Sequence, residues 1–333
     1  MAEPRTVVIT GASRGLGFAS ALRMYREGWR VVAAMRTPDR GMPLLRQAIQ
    51  EQGLAAPDDE RLIGVQLDLT DSASIAAAAK AIEETVGAPY ALVHNAGIYV
   101  AGMVEEIDTA LWQQMFATSV LGPVALTQAL LPSMRAAGEG RIVLVSSATG
   151  VRGQPVTAPY SAAKGALERW GESMACEIAP FGLGVTVLVA GFYDTEIITD
   201  AGMTDNRNFE GPYARLHTTM NTRHKFAMRL ARPPEKFADG VVKALADSKP
   251  FRRRGVDQDS SMLLALNRIL PSSAMHHMSR IMLGIPKQGS MRHGAWPLTA
   301  GQRAMVVVAK VLPQPVLQRL AALAAKRRKG NEE

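Results

Sequence analysis

The chain has 333 residues, 47% hydrophobic and 20% charged, with a formal net charge of +8. That length and apolar share support one large domain or two with a substantial core. One cysteine, Cys176, excludes an internal disulfide or a cysteine zinc cluster and agrees with a reducing interior. Set mid-helix among Met174, Ala175 and Ile178, it is expected to pack in the core. No apolar run approaches the roughly 18 residues that cross a bilayer, and Met1–Arg5 lead directly into a strand. Neither a signal peptide nor a membrane span is expected, and the chain reads as cytoplasmic.

The charge is uneven: residues 1–251 hold 24 basic and 26 acidic residues, whereas residues 252–333 hold 14 and 4. With Trp296 the only aromatic in that basic stretch, no nucleic-acid partner is expected, and an anionic membrane surface fits it better.

A strand over 6–10 runs into Gly11-Ala-Ser-Arg-Gly15-Leu-Gly17 and a helix to about Glu27. Glycines so spaced let the backbone turn tightly and approach a pyrophosphate, while the helix N-terminus supplies amide donors. A second strand, 29–35, ends at Arg36. In a doubly wound fold that end faces the adenosine ribose, where an acid would bind the 2′-hydroxyl. Arg36, with Arg14 in the glycine-rich turn, favours a 2′-phosphate and hence NADP(H).

A third strand, 62–67, closes at Asp68-Leu69 before a helix over 72–86, and a fourth, 90–94, leads into Asn95-Ala96-Gly97. A long helical stretch, 109–137, is expected to break near Gly122-Pro123 and at Pro132. Residues 141–147 read as a buried parallel strand giving way to a loop at Ser147. The next helix carries Tyr160 and Lys164 four apart, hence on one face. A cation about 5 Å from the phenol, at an effective dielectric of about 20, contributes about 3 kcal/mol and is expected to lower its pKa by about two units. Tyr160 then exchanges protons near neutral pH, and Ser147 shares the substrate oxygen. A sixth strand, 184–189, ends at Ala190-Gly191 and Thr195. Alternating strands and helices imply an α/β fold of the Rossmann type, a doubly wound parallel sheet with its ligand beyond the carboxyl ends of the strands. Gly11, Arg36, Asp68, Asn95, Ser147 and Thr195 all fall at such ends.

Taken together, Thr10-Gly11-x-x-x-Gly15-x-Gly17, Asn95-Ala96-Gly97, Ser147, Tyr160-x-x-x-Lys164 and Gly191-x-x-x-Thr195 resemble the short-chain dehydrogenase/reductase family, in its order and spacing, from about residue 5 to about 250. The resemblance implies that Tyr160 exchanges a proton with the substrate oxygen, Ser147 orients it, and Lys164 lowers the phenol and holds the nicotinamide ribose. Coenzyme would also touch Gly11, Ser13, Arg14, Gly15, Leu16, Gly17, Arg36, Asp68, Leu69, Asn95, Ala96, Gly97, Gly191 and Thr195. Hydride would pass between nicotinamide and carbonyl carbon, so no metal is required. A homo-oligomer is a family-level expectation. Two positions depart from the pattern. Ser119 stands where the family has an asparagine holding a relay water, which implies slower turnover, and Ala190 replaces a common proline before the glycine.

Residues 196–232, with scattered Met and aromatic side chains, read as a substrate cover suited to a bulky apolar molecule, or as a lid without direct substrate contact. A helix over 234–248, an edge strand at Phe251–Gly255 and helices over 262–270 and 275–283 follow, the last two resembling the extension of steroid- and retinoid-type members. The NADP-binding catalytic domain is placed at 1–256 and a basic helical extension at 257–333. An amphipathic helix with a basic end, within 301–333, docks on the body or a partner subunit, or attaches to anionic lipid. The reading is an NADP(H)-dependent oxidoreductase acting on an alcohol, ketone or aldehyde of a hydrophobic small molecule. The alternatives are a catalytically weak nucleotide-binding regulator and a membrane-recruited scaffold.

Overall fold

The computed structural model describes residues 3–54, 60–198 and 203–292. The chain divides into two units, Met1–Ser279 and Arg280–Glu333. The 301–333 tail, with its membrane and docking readings, lies outside the described residues.

Seven parallel strands form one sheet: β1 (Thr6–Thr10), β2 (Arg30–Met35), β3 (Leu62–Gln66), β4 (Ala91–His94), β6 (Gly140–Ser147), β7 (Leu183–Ala190) and β9 (Phe251–Gly255). Two short strands, β5 (Tyr99–Ala101) and β8 (Met203–Asp205), pair separately, also in parallel. The main sheet runs β3-β2-β1-β4-β6-β7-β9, so strand order reverses between β1 and β4. That crevice is where such sheets bind ligands. The helices are α1 (Gly15–Arg26), α2 (Pro38–Glu51), α3 (Ser72–Val86), α4 (Thr109–Phe116), α5 (Gly122–Ala137), α6 (Ala148–Val151), α7 (Ala158–Ile178), α8 (Ala214–Met228), α9 (Pro234–Leu245), α10 (Gln258–Ile269) and α11 (Ser272–Met282).

The strands are continuous apolar runs because helices cover both faces. Alternate residues divide between the two cores: Val7 and Ile9 join Met24, Leu45, Ile49 and Phe237 beneath α1, α2 and α9, while Val8 joins Ile82, Leu126, Leu130 and Leu167 beneath α3, α5 and α7. Each such large side chain contributes about 1.5–3 kcal/mol on burial. At the edge, β9 carries Arg252, Arg253 and Arg254, and charge on an edge strand discourages further pairing. Arg252 and Arg254 pair with Asp247 at 2.9 and 3.3 Å, and Arg253 turns to Glu168 on α7.

Three expectations change. The 109–137 stretch is not broken: α4 passes into α5 through one π-helical turn, Ala117–Leu121. Pro123 lies just after the π-helical turn, and Pro132 is carried inside the helix. By length and composition this stretch would cross a membrane, but Met115, Leu126, Leu130 and Met134 are fully buried, which marks a core helix. Cys176 is exposed on α7 rather than packed in the core. The third concerns α10, which packs on β7 and β9 and belongs to the first unit rather than to a separate extension.

Candidate active site

The glycine-rich turn joins β1 to α1. Gly11 adopts φ +67° and Gly15 φ +56°, a left-handed backbone that other residues avoid. A Cβ added to Gly11 would lie 2.8 Å from the Ala96 Cα, and one on Gly15 would lie 3.4 Å from the Thr195 Cβ. The turn is thus clasped between the ends of β4 and β7. Asn95 does the clasping: its Nδ2 donates to the Thr10 and Gly11 carbonyls at 3.0 and 3.3 Å, and its backbone N–H, with that of Ala96, donates to Thr10 Oγ1 at 3.1 Å. Asn95 therefore shapes the cradle from beneath. Gly17 is tied into the same knot, its Cα beside the Gly11 carbonyl and the Asn95 amide. Leu16 leans on the core, and Ser13 packs beside Gly41 at the start of α2.

Arg36 is exposed just beyond β2. Hydrogen bonds from the Thr70 hydroxyl and amide, with Arg36 adding a smaller effect, hold the Asp68 carboxyl below the usual carboxylate range. Leu69 beside it is buried, with Gly122 of α5 packed under its backbone. Arg14 is turned the other way, pairing with Glu196 at 3.1 Å, one residue past Thr195. Gly191 donates its N–H to Asp257, the residue capping α10, at 2.9 Å, which fixes the start of the Gly191–Thr195 loop. Left-handed glycines, a helix N-terminus and a cationic ribose corner fit a dinucleotide coenzyme with this loop over its nicotinamide end.

Ser147 ends β6 and caps the short α6, its Oγ accepting from the Thr149 N–H at 3.3 Å. The loop that follows is strained: Val156, β-branched and buried, sits at φ +72°, and its carbonyl accepts from the Gly102 N–H at 2.8 Å. This loop delivers Tyr160 to the first turn of α7. The expected lowering of the phenol is not observed. Burial pushes Tyr160 up to about 12, with a hydrogen bond to Ser147 working in the other direction. The reason is geometric. Lys164 Nζ donates to the Val145 carbonyl at 2.7 Å and lies 5.7 Å from the Tyr160 ring centroid, over the ring. Burial in turn brings the Lys164 ammonium down to about 8, opposed by the charge of Glu168 one turn further on. The phenol is therefore a protonated donor throughout the neutral range.

Ser119 lies in the π-helical turn, buried, and donates to Met115 Sδ at 3.6 Å. A Cβ on Gly97 would lie 3.7 Å from Lys164 Nζ and 3.9 Å from Ser119 Oγ, so Gly97 is the small residue between them. Ser147, Tyr160, Lys164 and Ser119 thus come together at the carboxyl ends of the central strands. Sequence reasoning missed Tyr99, whose ring packs at a tilt 5.1 Å from that of Tyr160. It also missed Glu168, buried beneath Lys164, for which the four-residue spacing on α7 was the available signal.

The 203–232 segment is pinned at three places. β8 pairs with β5, a bridge joins Tyr193 to Arg232, and the fully buried His217 of α8 contacts Glu106 at 2.8 Å. Burial alone would raise the Glu106 carboxyl, but hydrogen bonds from the Met103 N–H, His217 and the Asn208 N–H hold it below the usual range.

The family model described as short chain dehydrogenase matches residues 5–206. An uncharacterized oxidoreductase of Escherichia coli, YbbO, is 31% identical over 278 residues, covering 81% of this chain and 92% of the relative. Retinol dehydrogenase 8 of Bos taurus is 29% identical over 283 residues, covering 82% and 88%. Among solved structures, a short-chain dehydrogenase from Streptomyces avermitilis superposes with a TM-score of 0.69 at 28% identity, covering 86% of this chain and all of that one. With the parallel sheet, the glycine turn and the Ser147–Tyr160–Lys164 group already in place, these matches identify the chain as an oxidoreductase of the short-chain dehydrogenase/reductase family.

Proposed function

We propose that this protein is an NADP(H)-dependent oxidoreductase that interconverts a carbonyl group and an alcohol on a hydrophobic small molecule. The observation that carries the reading is geometric: the partly buried Tyr160 phenol lies beside the Ser147 hydroxyl, with Lys164 Nζ 5.7 Å from its ring centroid. A bound nicotinamide coenzyme would supply or accept the hydride. The chain's own part is the proton. Ser147 holds the substrate oxygen, and Tyr160 gives its proton to that oxygen in reduction and takes it back in oxidation. Lys164 holds the coenzyme ribose and lies on the route by which the phenol is reprotonated. Choice of NADP(H) is supported by the exposed Arg36 at the end of β2 and by Arg14 in the turn, since guanidinium makes charge-assisted bonds to phosphate. An apolar substrate is supported by Tyr99 against Tyr160 and by the similarity to a retinol dehydrogenase.

The test is coenzyme turnover with retinaldehyde, steroid ketones and medium-chain aldehydes, each with NADPH and with NADH. The expected result is NADPH-dependent reduction of at least one, with Tyr160→Phe about 100-fold slower or worse. Turnover unchanged in Tyr160→Phe would overturn the reading, and so would a wild-type protein that binds NADPH and reduces none.

A further inference from the structure

Glu168 is a buried carboxylate for which the proton chemistry above has no use. It is 2% exposed, one turn after Lys164 on the inner face of α7. Two groups hold it, both from the sheet. Ser146 Oγ donates to Glu168 Oε1 at 2.6 Å, and the Arg253 guanidinium pairs with the other oxygen. Ser146 immediately precedes Ser147 on β6. Arg253 stands on the edge strand β9 in register with Val187 of β7, which is in register with Leu144 of β6. The two-residue period of a strand then puts Leu144, Ser146, Val187 and Arg253 on the sheet face that α7 covers. These groups close around Gly150. A Cβ there would lie 2.8 Å from Ser146 Oγ, 2.9 Å from Lys164 Cβ and 3.0 Å from Glu168 Oε1.

A carboxylate in such a place takes up a proton unless a cation faces it, because burial penalises the charged form. Burial leaves the Glu168 carboxyl above the usual carboxylate range, a rise that the Ser146 hydroxyl and Arg253 moderate. As an anion one turn from Lys164, it opposes the burial that brings that ammonium down to about 8.

We infer that Arg253 and Glu168 are positioning residues for the reaction. Arg253 on the last strand keeps Glu168 a carboxylate, and Glu168 keeps Lys164 an ammonium while tying the Ser146–Ser147 strand end to the helix that carries Tyr160. The inference rests on the functional reading of Ser147, Tyr160 and Lys164, but its test does not. Other charged groups around the pair hold one state across the relevant range. His94 on β4 is pushed down to about 3, chiefly by burial, Tyr160 keeps its proton to about 12, and Tyr99 on β5 is pushed up by burial. A change in Lys164 near pH 8 therefore reports Glu168.

The experiment reads Lys164 directly in the full-length protein, from the Nζ resonance of 15N-labelled lysine, assigned by its loss in Lys164→Arg. Glu168→Gln keeps an acceptor for Ser146 and removes the charge, and the Lys164 midpoint is expected to move to lower pH by about one to two units. Arg253→Met should reproduce that shift, because an unpaired Glu168 takes up a proton, and Arg253→Lys should restore the midpoint. A parallel readout is the alkaline limb of NADPH oxidation with retinaldehyde, displaced in the same direction. A Lys164 midpoint unchanged in both Glu168→Gln and Arg253→Met overturns the proposal, even where both variants melt earlier. Should Glu168→Gln fail to fold, the Arg253→Met and Arg253→Lys pair decides. If the wild-type protein reduces no carbonyl compound, the functional reading fails while the resonance still decides this one.

Discussion

His217, wholly buried on α8, places its Nε2 2.8 and 2.9 Å from the two carboxylate oxygens of Glu106, a residue on the turn after β5. The α8 segment is therefore latched to the body from inside. A buried hydrogen bond to a charged group contributes about 1.5–3 kcal/mol. His217→Ala should speed hydrogen exchange of the α8 amides by roughly 10- to 100-fold and raise KM for an apolar carbonyl more than KM for NADPH. Unchanged protection in α8 would refute the latch. Because the Glu106 carboxyl is held low, the latch's contribution is complete above the unfolded carboxylate's pKa. It is lost only as pH falls below the ordinary carboxylate range.

The buried Lys164 makes a separate prediction about stability. Its folded pKa, about 8, lies below its ordinary value of 10.5, so above pH 8 the unfolded chain binds more protons than the folded one. Stability should rise with pH from about 8 toward 10.5, by up to about 3 kcal/mol. Tyr160 acts in the opposite direction, since its folded phenol keeps a proton to about 12 that the unfolded chain loses near 10. Thermal melting of the coenzyme-free protein across pH 7–10 should show the rise, and Lys164→Met should abolish it. A melting curve with the same pH slope in both proteins would sink the claim.

Arg36 is exposed and follows the last residue of β2. Arg36→Ala should raise the Kd for NADPH about 10- to 100-fold, the loss of one charge-assisted pair, and leave that for NADH nearly unchanged. Coenzyme titration by fluorescence measures both. Equal losses for the two coenzymes would remove the basis for the NADP(H) preference.

Ser119 fills a family position that usually holds an amide, and the π-helical turn buries its hydroxyl against Met115. Replacing it with the longer donor and acceptor of Ser119→Asn should increase kcat about 10-fold, the value of one hydrogen bond of about 1.4 kcal/mol. An unchanged kcat would show that the relay does not pass this residue.

The sheet was legible because strands covered on both faces must be unbroken apolar runs, as Val7-Val8-Ile9 and Val187-Leu188-Val189 are. The motif residues were legible for a related reason: Gly11, Arg36, Asp68, Asn95, Ser147 and Thr195 each follow such a run, and a parallel sheet brings the ends of its strands to one edge. What local pattern left undecided was every contact made across the sheet. Spacing alone brought Lys164 toward Tyr160, yet the carbonyl of Val145, from another element, holds its ammonium, and burial raises the phenol that a neighbouring cation was expected to lower. Cys176 looked internal from its neighbours, but a helix of three- to four-residue period turns it outward. The pairs His217–Glu106 and Glu168–Arg253 join segments far apart in the chain, and no periodicity within either segment records its partner. Sequence by itself determined which residues stand at the mouth of the sheet. Only the tertiary structure decided their charge states, because those depend on what surrounds each group from elsewhere in the chain.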